Sequence, residues 1–231
     1  AEHMNRKTAM SDIPKGYKQT EVGFIPNDWE IKHLDQLVQF TNGKAHENCI
    51  KDDGKYIVVN SKFISSEGQV KKYSDESFSL TEAENILMVM SDVPNGKAIA
   101  KCFFVDKDNY YTVNQRICSL NIKVDYPKFL FYIIDRNKYY LAFDDGVKQT
   151  NLRKDDVLAC PIPLPPTKAE QIAIAAALSD ADAFISSLEK LIVKKRNIKQ
   201  GAMQELLTGK KRLPGFSGKW EVKRLGDIAP L

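Results

Sequence analysis

The feature that most constrains what this chain can fold into is an uninterrupted helical pattern in its C-terminal half. Residues 168–208 contain no proline and only one glycine, Gly201. Apolar residues recur there at alternating steps of four and three, which is the spacing of a coiled-coil seam. About 41 residues at a rise of about 1.5 Å predict a helix of roughly 60 Å. Such a helix needs a partner helix to cover its apolar stripe.

We expect this apolar seam to pair with a second helix of the same kind. The seam and its neighbouring positions comprise Ile174, Leu178, Ala181, Ile185, Leu188, Leu191, Ile192, Ile198, Ala202 and Leu206. The early part of the segment is acidic at Asp180 and Asp182, whereas residues 190–199 are rich in lysine. An antiparallel partner sets each acidic end against a basic end, so the charge pattern favours antiparallel pairing.

Residues 17–165 have the pattern of a β-rich globular unit. Between Asn-Gly, Asp-Gly and Glu-Gly turn signals, strands are predicted over 56–60, 85–91, 97–105 and 116–124. One helix is predicted from Tyr126 to about Phe143, with its aromatic residues mostly in the core. Residues 161–166 contain four prolines and predict a rigid linker. The fold class is therefore α+β, with a β-rich domain followed by a long helix in an antiparallel coiled coil.

Composition excludes several classes of protein. With 43% apolar and 10% aromatic residues, the chain can bury a core, which excludes wholesale disorder. No continuous apolar run approaches the ~18 residues that a membrane span needs. A net charge of +4 permits a nucleic acid partner without requiring one.

The cysteine pattern indicates a reducing environment. The chain contains four cysteines, far apart and without a C-x-x-C pair: Cys49, Cys102, Cys118 and Cys160. Three of them lie in apolar runs and are predicted to be small buried hydrophobic residues. This usage favours a cytoplasmic setting and argues against a structural zinc site.

An internal repeat divides the chain into units. Residues 29–37 read Trp-Glu-Ile-Lys-His-Leu-Asp-Gln-Leu, and residues 220–228 read Trp-Glu-Val-Lys-Arg-Leu-Gly-Asp-Ile. We interpret the chain as one repeat unit, a domain plus a long helix, followed by the opening of a second unit. The predicted parts are a tag remnant with an N-terminal extension (1–15), the globular domain (16–166), the long helix (167–209), and a linker with the second opening (210–231).

Signals for catalysis are weak. Glu30-x-Lys32 has the spacing of a nuclease site, but the repeat reproduces it beside the same tryptophan, which favours a structural role. The sequence contains no P-loop, no G-x-G-x-x-G after a strand and no motif for base methylation. His33 and His46 are too few and too separated for a metal site or a catalytic triad. His33 is predicted to lie on the surface, and the chain is predicted to be non-catalytic.

Signals for nucleic acid contact are stronger because they recur. Basic and amide side chains gather in five predicted loops, whose candidate residues are Lys44; Asn60, Ser61 and Lys62; Asn95, Gly96 and Lys97; Asn114, Gln115 and Arg116; and Lys148, Gln149, Thr150 and Asn151. Amide and guanidinium groups can read bases, and lysine and hydroxyl groups can hold phosphate. Any one loop is more simply a turn with a solvated charge. Five in one unit favour a DNA-reading surface carried on loops.

Three segments resemble the specificity subunit of type I restriction–modification enzymes. Residues 16–30 (Gly-Tyr-Lys-Gln-Thr-Glu-Val-Gly-Phe-Ile-Pro-Asn-Asp-Trp-Glu) are similar to the family's opening. Residues 161–171 (Pro-Ile-Pro-Leu-Pro-Pro-Thr-Lys-Ala-Glu-Gln) resemble its junction with a conserved helix, and residues 202–213 resemble the end of that helix. Residues 146–152 resemble a polar loop often found just ahead of the junction.

The resemblance implies a function and a set of partners. The family has two target recognition domains, each reading half of a bipartite DNA site, separated by two conserved helices in an antiparallel coiled coil. Methyltransferase and restriction subunits bring S-adenosylmethionine, ATP and Mg²⁺, so no cofactor is expected on this chain. With one unit present, we expect a homodimer that reads a palindromic bipartite site. Two alternatives stay open: a coiled-coil interaction module that binds protein, and the recognition part of a fused restriction–methylase polypeptide.

Overall fold

The computed structural model describes residues 13–94, 96–123 and 126–229. The chain divides into two compact units, with the boundary between Ala177 and Leu178. The strands of the described residues are β1 (Tyr17–Thr20), β2 (Gly23–Pro26), β3 (Glu30–His33), β4 (Val38–Asn42), β5 (Tyr56–Val59), β6 (Tyr73–Ser74), β7 (Ile86–Val89), β8 (Ser91–Asp92), β9 (Cys102–Phe104), β10 (Tyr111–Val113), β11 (Ile117–Ile122), β12 (Thr150–Asn151) and β13 (Pro161–Leu164).

Helices are fewer and mostly short. The α-helices of the described residues are α1 (Ser61–Ser65), α2 (Pro127–Ile134), α3 (Lys138–Leu141), α4 (Lys154–Leu158), α5 (Lys168–Leu206) and α6 (Leu225–Ile228). Single 3₁₀ turns form at Leu34–Gln36 and Glu47–Cys49. The α+β prediction, with a β-rich part and one long helix, is confirmed.

The core of the first unit surrounds the antiparallel sheet β4-β11-β7-β9. Side chains alternate along β7, so Ile86 and Met88 enter one hydrophobic cluster while Leu87 and Val89 enter another. The first cluster includes residues of α2, α3 and α4, and the second includes residues of α1, β5 and β10. Burial on both faces explains why residues 86–90 form a continuous apolar run in the sequence.

The helix predicted over 126–143 is two helices, α2 and α3. The chain turns at Arg136, which has a left-handed φ of +53°. The Asp135 carboxylate accepts the Cys102 N–H at 2.7 Å, and the Arg136 N–H donates to the Ala100 carbonyl at 2.9 Å. Asn137 then caps α3 by accepting the Tyr139 N–H. These contacts with residues 100–102 end α2, a tertiary effect that helical periodicity alone does not reveal.

Two further predictions in the first unit were wrong in detail. Residues 161–164 are strand β13, paired antiparallel with β3, and Ile162 and Leu164 are buried. The two prolines of β13 alternate along the strand, so both missing N–H groups fall on the same side of it and the ladder to β3 survives. The strand predicted over 97–105 shortens to β9 because the Asp92 carboxylate takes the N–H groups of residues 98 and 99.

The predicted burial of three cysteines is confirmed, as is the exposure of His33. Cys102, Cys118 and Cys160 are buried, whereas Cys49 is half-buried. Burial raises the pKa of the Cys118 thiol to about 12. It raises the pKa of Cys160 to about 11.

Helix α5 spans 39 residues, close to the predicted segment. Its first turns belong to the first unit. Ala175 is buried, Ile174 packs on the core, and the Gln171 side chain accepts the Tyr126 N–H at 3.0 Å. By length and composition alone, α5 could also cross a membrane. That is a weak indication, because a core helix or a coiled-coil helix can meet the same criterion.

The two copies of the repeat differ in their surroundings. In the first copy Leu34 and Leu37 are buried, and β3 is paired with β13. In the second copy the equivalent Leu225 and Ile228 are 79% and 64% exposed. Helical turns nonetheless begin at the equivalent positions Leu34 and Leu225. The two copies therefore share the start of a helical turn, and the second copy lacks the strand and has its apolar side chains uncovered.

Candidate nucleic-acid interface

Two of the predicted loops lie side by side because β5 and β10 are parallel neighbours. Val59 ends β5 and Val113 ends β10, and these two residues are partners in the ladder. Asn60 and Asn114 therefore emerge at the same edge of the sheet. The Asn114 N–H donates to the Val59 carbonyl at 3.0 Å, which fixes the two loops together.

The Lys44 loop is held against the same edge. The Gly43 N–H donates to the Ile117 carbonyl at 2.9 Å, and the Lys44 N–H donates to the Val113 carbonyl at 3.0 Å. A Cβ added at Gly43 would lie 2.1 Å from the Asn114 carbonyl oxygen, so the approach requires glycine. The Asn-Gly signal in the sequence therefore marks a close crossing of two backbones.

A buried histidine anchors this loop, a role that could not be predicted from the sequence. His46 is 1% exposed and its ring packs on Phe78. Its Nδ1 lies 2.6 Å from the Lys44 carbonyl oxygen, and its Nε2 lies 2.8 Å from the Thr112 hydroxyl. Its backbone N–H donates to the Asn114 side-chain oxygen at 3.1 Å. His46 therefore has a structural role beneath the candidate interface.

The remaining loops join this edge through the backbone. The Met90 N–H donates to the Arg116 carbonyl, and the Leu152 N–H donates to the Met90 carbonyl, each at 2.8 Å. Strands β8 and β12 are paired, which places residues 150–151 beside residues 91–92. Gly96 lies against the Asp92 side chain, and Asn95 lies outside the described residues. Three of the predicted loops thus meet at one edge of the domain, and the β8–β12 pair that carries the other two adjoins it through Met90.

A cleft of about 380 Å³ lies between the Asn60 and Asn114 loops. It is lined by Glu47, Asn60, Ser61, Lys62, Asn114, Gln115 and Arg116. Lys62, Gln115 and Arg116 are exposed, and Arg116 has a left-handed φ of +70°. Glu47 is the one lining residue that was not among the sequence candidates.

Several of the predicted DNA-contact residues make hydrogen bonds or close contacts that stabilise the fold. The Asn60 side-chain oxygen caps α1 by accepting the Phe63 N–H at 2.9 Å, and the Asn114 oxygen is held by His46. Thr150 is 5% exposed and its hydroxyl donates to Asp144. A Cβ at Gly96 would collide with the Asp92 carboxylate, so this glycine allows a close turn.

Gln149 and Asn151 form a small polar network with Ser91. The Ser91 hydroxyl donates to the Asn151 side-chain oxygen at 2.7 Å, and the Gln149 amide donates to both. The Asp145 carboxylate accepts the N–H groups of Lys148 and residue 147, and these hydrogen bonds lower the pKa of Asp145. The loop is therefore ordered internally, with the Lys148 side chain exposed.

The electrostatics of the edge favour an anion. Among the described residues, no carboxylate forms an ion pair with any of the exposed cations of these loops, which are Lys44, Lys62, Lys97, Arg116 and Lys148. Elsewhere on the domain, Lys51 and Lys72 are paired with aspartates. Unpaired lysine and arginine side chains around a polar cleft are suited to phosphate and base edges.

The second set of predicted contacts lies along α5. Beyond Ile174, which packs on the first unit, the apolar side chains are largely uncovered. Leu188 is 42% exposed, and Ile185 and Ile192 are 54% and 49% exposed. Leu206 is half-buried. An apolar stripe of this length remains available for a partner helix.

A family model described as the type I restriction modification DNA specificity domain matches residues 26–197. The match covers well over half of the chain. The chain belongs to this specificity-domain family. The family match includes the whole loop-bearing edge and most of α5.

Relatives of the specificity domain are about twice as long. The type I restriction enzyme MjaVIII specificity subunit of Methanocaldococcus jannaschii is 28% identical over 88% of this chain and 51% of its own length. A protein of the same organism, described as the MjaX specificity subunit, is 24% identical over 92% of this chain and 55% of its own length. The chain thus spans about half the length of the curated relatives it matches.

The fold of the specificity domain is also found in solved structures. The type I restriction–modification S subunit from M. genitalium superposes with a TM-score of 0.57, at 24% identity. The superposition covers 77% of this chain and 45% of that one. At this identity the likeness establishes the fold, and the role of each loop residue rests on the geometry described above.

Proposed function

We propose that this chain is a DNA sequence-recognition component of a type I restriction–modification system and reads one half of a bipartite site. The observation that carries the proposal is that the Asn60 and Asn114 loops meet at one edge around a polar cleft, with the Lys44 loop held against them. Family membership supports it, because the matching family is named for DNA specificity. The proposed parts are a target recognition domain (16–166), a conserved helix (167–209), and a linker with the start of a second unit (210–231).

Different side chains of the edge have different tasks in this proposal. Lys44 and Lys62 contact phosphates. These contacts increase the affinity for DNA and orient the protein on the duplex, but they do not discriminate between base sequences. Arg116 and Gln115 are exposed at the cleft and contact base edges, where guanidinium and amide groups discriminate. The chain itself catalyses no reaction, and S-adenosylmethionine, ATP and Mg²⁺ belong to methyltransferase and restriction subunits.

Two copies would restore the two recognition domains of a longer specificity subunit. The exposed apolar stripe of α5 supports pairing with the same helix of a second copy. An antiparallel arrangement is favoured because it sets the acidic early part of each helix against the lysine-rich later part of the other. The pair has two-fold symmetry, so the two half-sites are inverted copies of one sequence. The spacing of the half-sites follows from the length of α5. We place the assembly in the cytoplasm, with methyltransferase subunits bound along the helices.

Selection from a pool of duplexes with a randomised segment tests this function. The full chain, with its methyltransferase subunits if these are needed for binding, is expected to enrich a motif of two inverted half-sites. Affinity for the selected duplex should fall steeply with salt, because phosphate contacts release counterions. A protein-binding coiled-coil module would enrich no motif and would show weak, salt-insensitive retention on DNA. That outcome would overturn the proposal.

A further inference from the structure

An unexpected carboxylate lies in the otherwise basic cleft. Glu47 is exposed in the 3₁₀ turn that follows the His46 anchor, and it lines the cleft beside Gln115 and Arg116. Among the described residues it has no ion-pair partner. A negative charge at this position repels DNA phosphates, so it weakens sequence-independent binding. A role in selecting a base would explain the presence of the Glu47 carboxylate in this cleft.

Glu47 determines which way the Gln115 side chain faces. The Gln115 Nε2 donates to the Glu47 Oε1. An ionised carboxylate can only accept hydrogen bonds, so the amide must turn its NH₂ group toward Glu47 and its oxygen away. The pair therefore presents two further acceptors, Oε2 of Glu47 and Oε1 of Gln115.

The other amides of the cleft do not offer the same chemistry. The Asn60 and Asn114 side-chain oxygens accept backbone N–H groups of residues 63 and 46, so both are committed to the fold. Lys62 and Arg116 are donors only. Ser61 is half-buried, and its hydroxyl can donate as well as accept. Glu47 and Gln115 are thus the fully exposed side chains of the cleft that carry acceptor oxygens.

We propose that Glu47 and Gln115 act together as an acceptor pair that recognises the exocyclic amino group of one base in the major groove. The groups that fit are the N6 amino group of adenine and the N4 amino group of cytosine, the amino donors of that groove. At the same position, guanine and thymine present an acceptor oxygen to the carboxylate and are rejected. This inference rests on the proposed DNA-recognition function and adds a specificity residue to it.

Selection from the same randomised duplex pool, repeated with Glu47→Gln, tests the pair. The wild-type motif should contain one position in each half-site where adenine or cytosine exceeds guanine and thymine. Glu47→Gln should reduce that preference roughly 5- to 150-fold, the discrimination that one good base contact supplies. Affinity for mixed-sequence duplex should stay the same or rise, because the variant removes a negative charge from the cleft.

Two further variants separate base reading from charge and from folding. Glu82→Gln is the control for charge, because it changes the net charge equally. Glu82 follows Thr81 near the start of β10, at the end of the strand opposite to the cleft. The motif selected by this variant should equal that of the wild type. Gln115→Ala should weaken the same base position, and the double variant should be little worse than the stronger single one, because the two residues act as a unit.

The outcomes distinguish the inference from the function on which it rests. A wild-type motif that Glu47→Gln leaves unchanged overturns the acceptor pair and leaves the DNA-recognition function standing. An equal loss of affinity for every duplex also overturns it, because it shows a structural role for Glu47. A wild-type chain that enriches no motif overturns the proposed function together with the inference.

Discussion

At the scale of single residues, the candidate interface rests on side chains that do not themselves reach solvent. His46 connects the Lys44 carbonyl, the Thr112 hydroxyl and the Asn114 side chain beneath the loops. The exposed cations could be predicted from sequence because Asn-Gly-Lys and Asn-Gln-Arg are recognisable loop signals. The role of His46 could not be predicted, because Thr112 and Asn114 lie 66 and 68 residues away along the chain. For the same reason, sequence could not separate the exposed Gln115 from the buried Asn114.

Substitution of His46 by alanine tests this anchoring. We expect the free energy of unfolding to fall by about 1–3 kcal/mol, because buried hydrogen-bond partners lose their bonds. His33→Arg is the control, since His33 is exposed and the second repeat carries arginine at that position. It should change stability by less than about 0.5 kcal/mol. Equal effects of the two substitutions in urea unfolding would contradict the anchoring role.

Thiol reactivity provides a second test at this scale. Cys49 is half-buried, whereas burial raises the pKa of Cys118 to about 12, so its thiol stays protonated at pH 8. A thiol reagent at pH 8 should label Cys49 in the native protein and reach Cys102, Cys118 and Cys160 only after unfolding. Rapid labelling of all four in the native state would show that the core is not packed as described.

At the scale of elements, α5 was predictable and the elements shaped by neighbours were not. The 39 residues of α5 could be predicted to be helical from the sequence alone, because their apolar residues are periodic and proline is absent. The proline-rich β13 forms only because β3 lies beside it, and the break at Arg136 forms because residues 100–102 contact it. Local sequence therefore indicates helices that are long and periodic. It misses strands and breaks that depend on contacts distant in the chain.

A charge placed in the seam of α5 tests its pairing. Leu188→Glu should lower the mass measured by light scattering from a dimer toward a monomer, because it buries an unpaired carboxylate in the helix interface. Ser186→Glu adds the same charge two positions away and should leave the mass unchanged. If both variants and the wild type have the monomer mass at tens of micromolar, the homodimer is wrong. The apolar stripe would then need a different partner.

At the scale of the whole molecule, the candidate loops and the apolar stripe lie on different elements. The loops follow strands of the first unit, and the long helix carries an uncovered apolar stripe. In the proposed function the loops read the DNA and the helix sets the spacing of the half-sites. The five candidate loops could be assigned to one unit from the sequence. The meeting of the Asn60 and Asn114 loops could not, because it depends on the parallel pairing of β5 with β10, which joins strands far apart in the chain. The chain spans about half the length of its curated relatives.

The salt dependence of duplex binding tests the central claim most directly. For a mixed-sequence duplex, the logarithm of affinity should fall linearly with the logarithm of salt concentration. Lys44→Ala combined with Lys62→Ala should reduce the size of that slope by roughly two for each bound copy, one for each phosphate contact removed. Lys107→Ala removes a cation just before β10, at the opposite end of the strand from the cleft, and should leave the slope unchanged. A slope that the double variant does not alter would show that DNA, if bound, is bound elsewhere on the molecule.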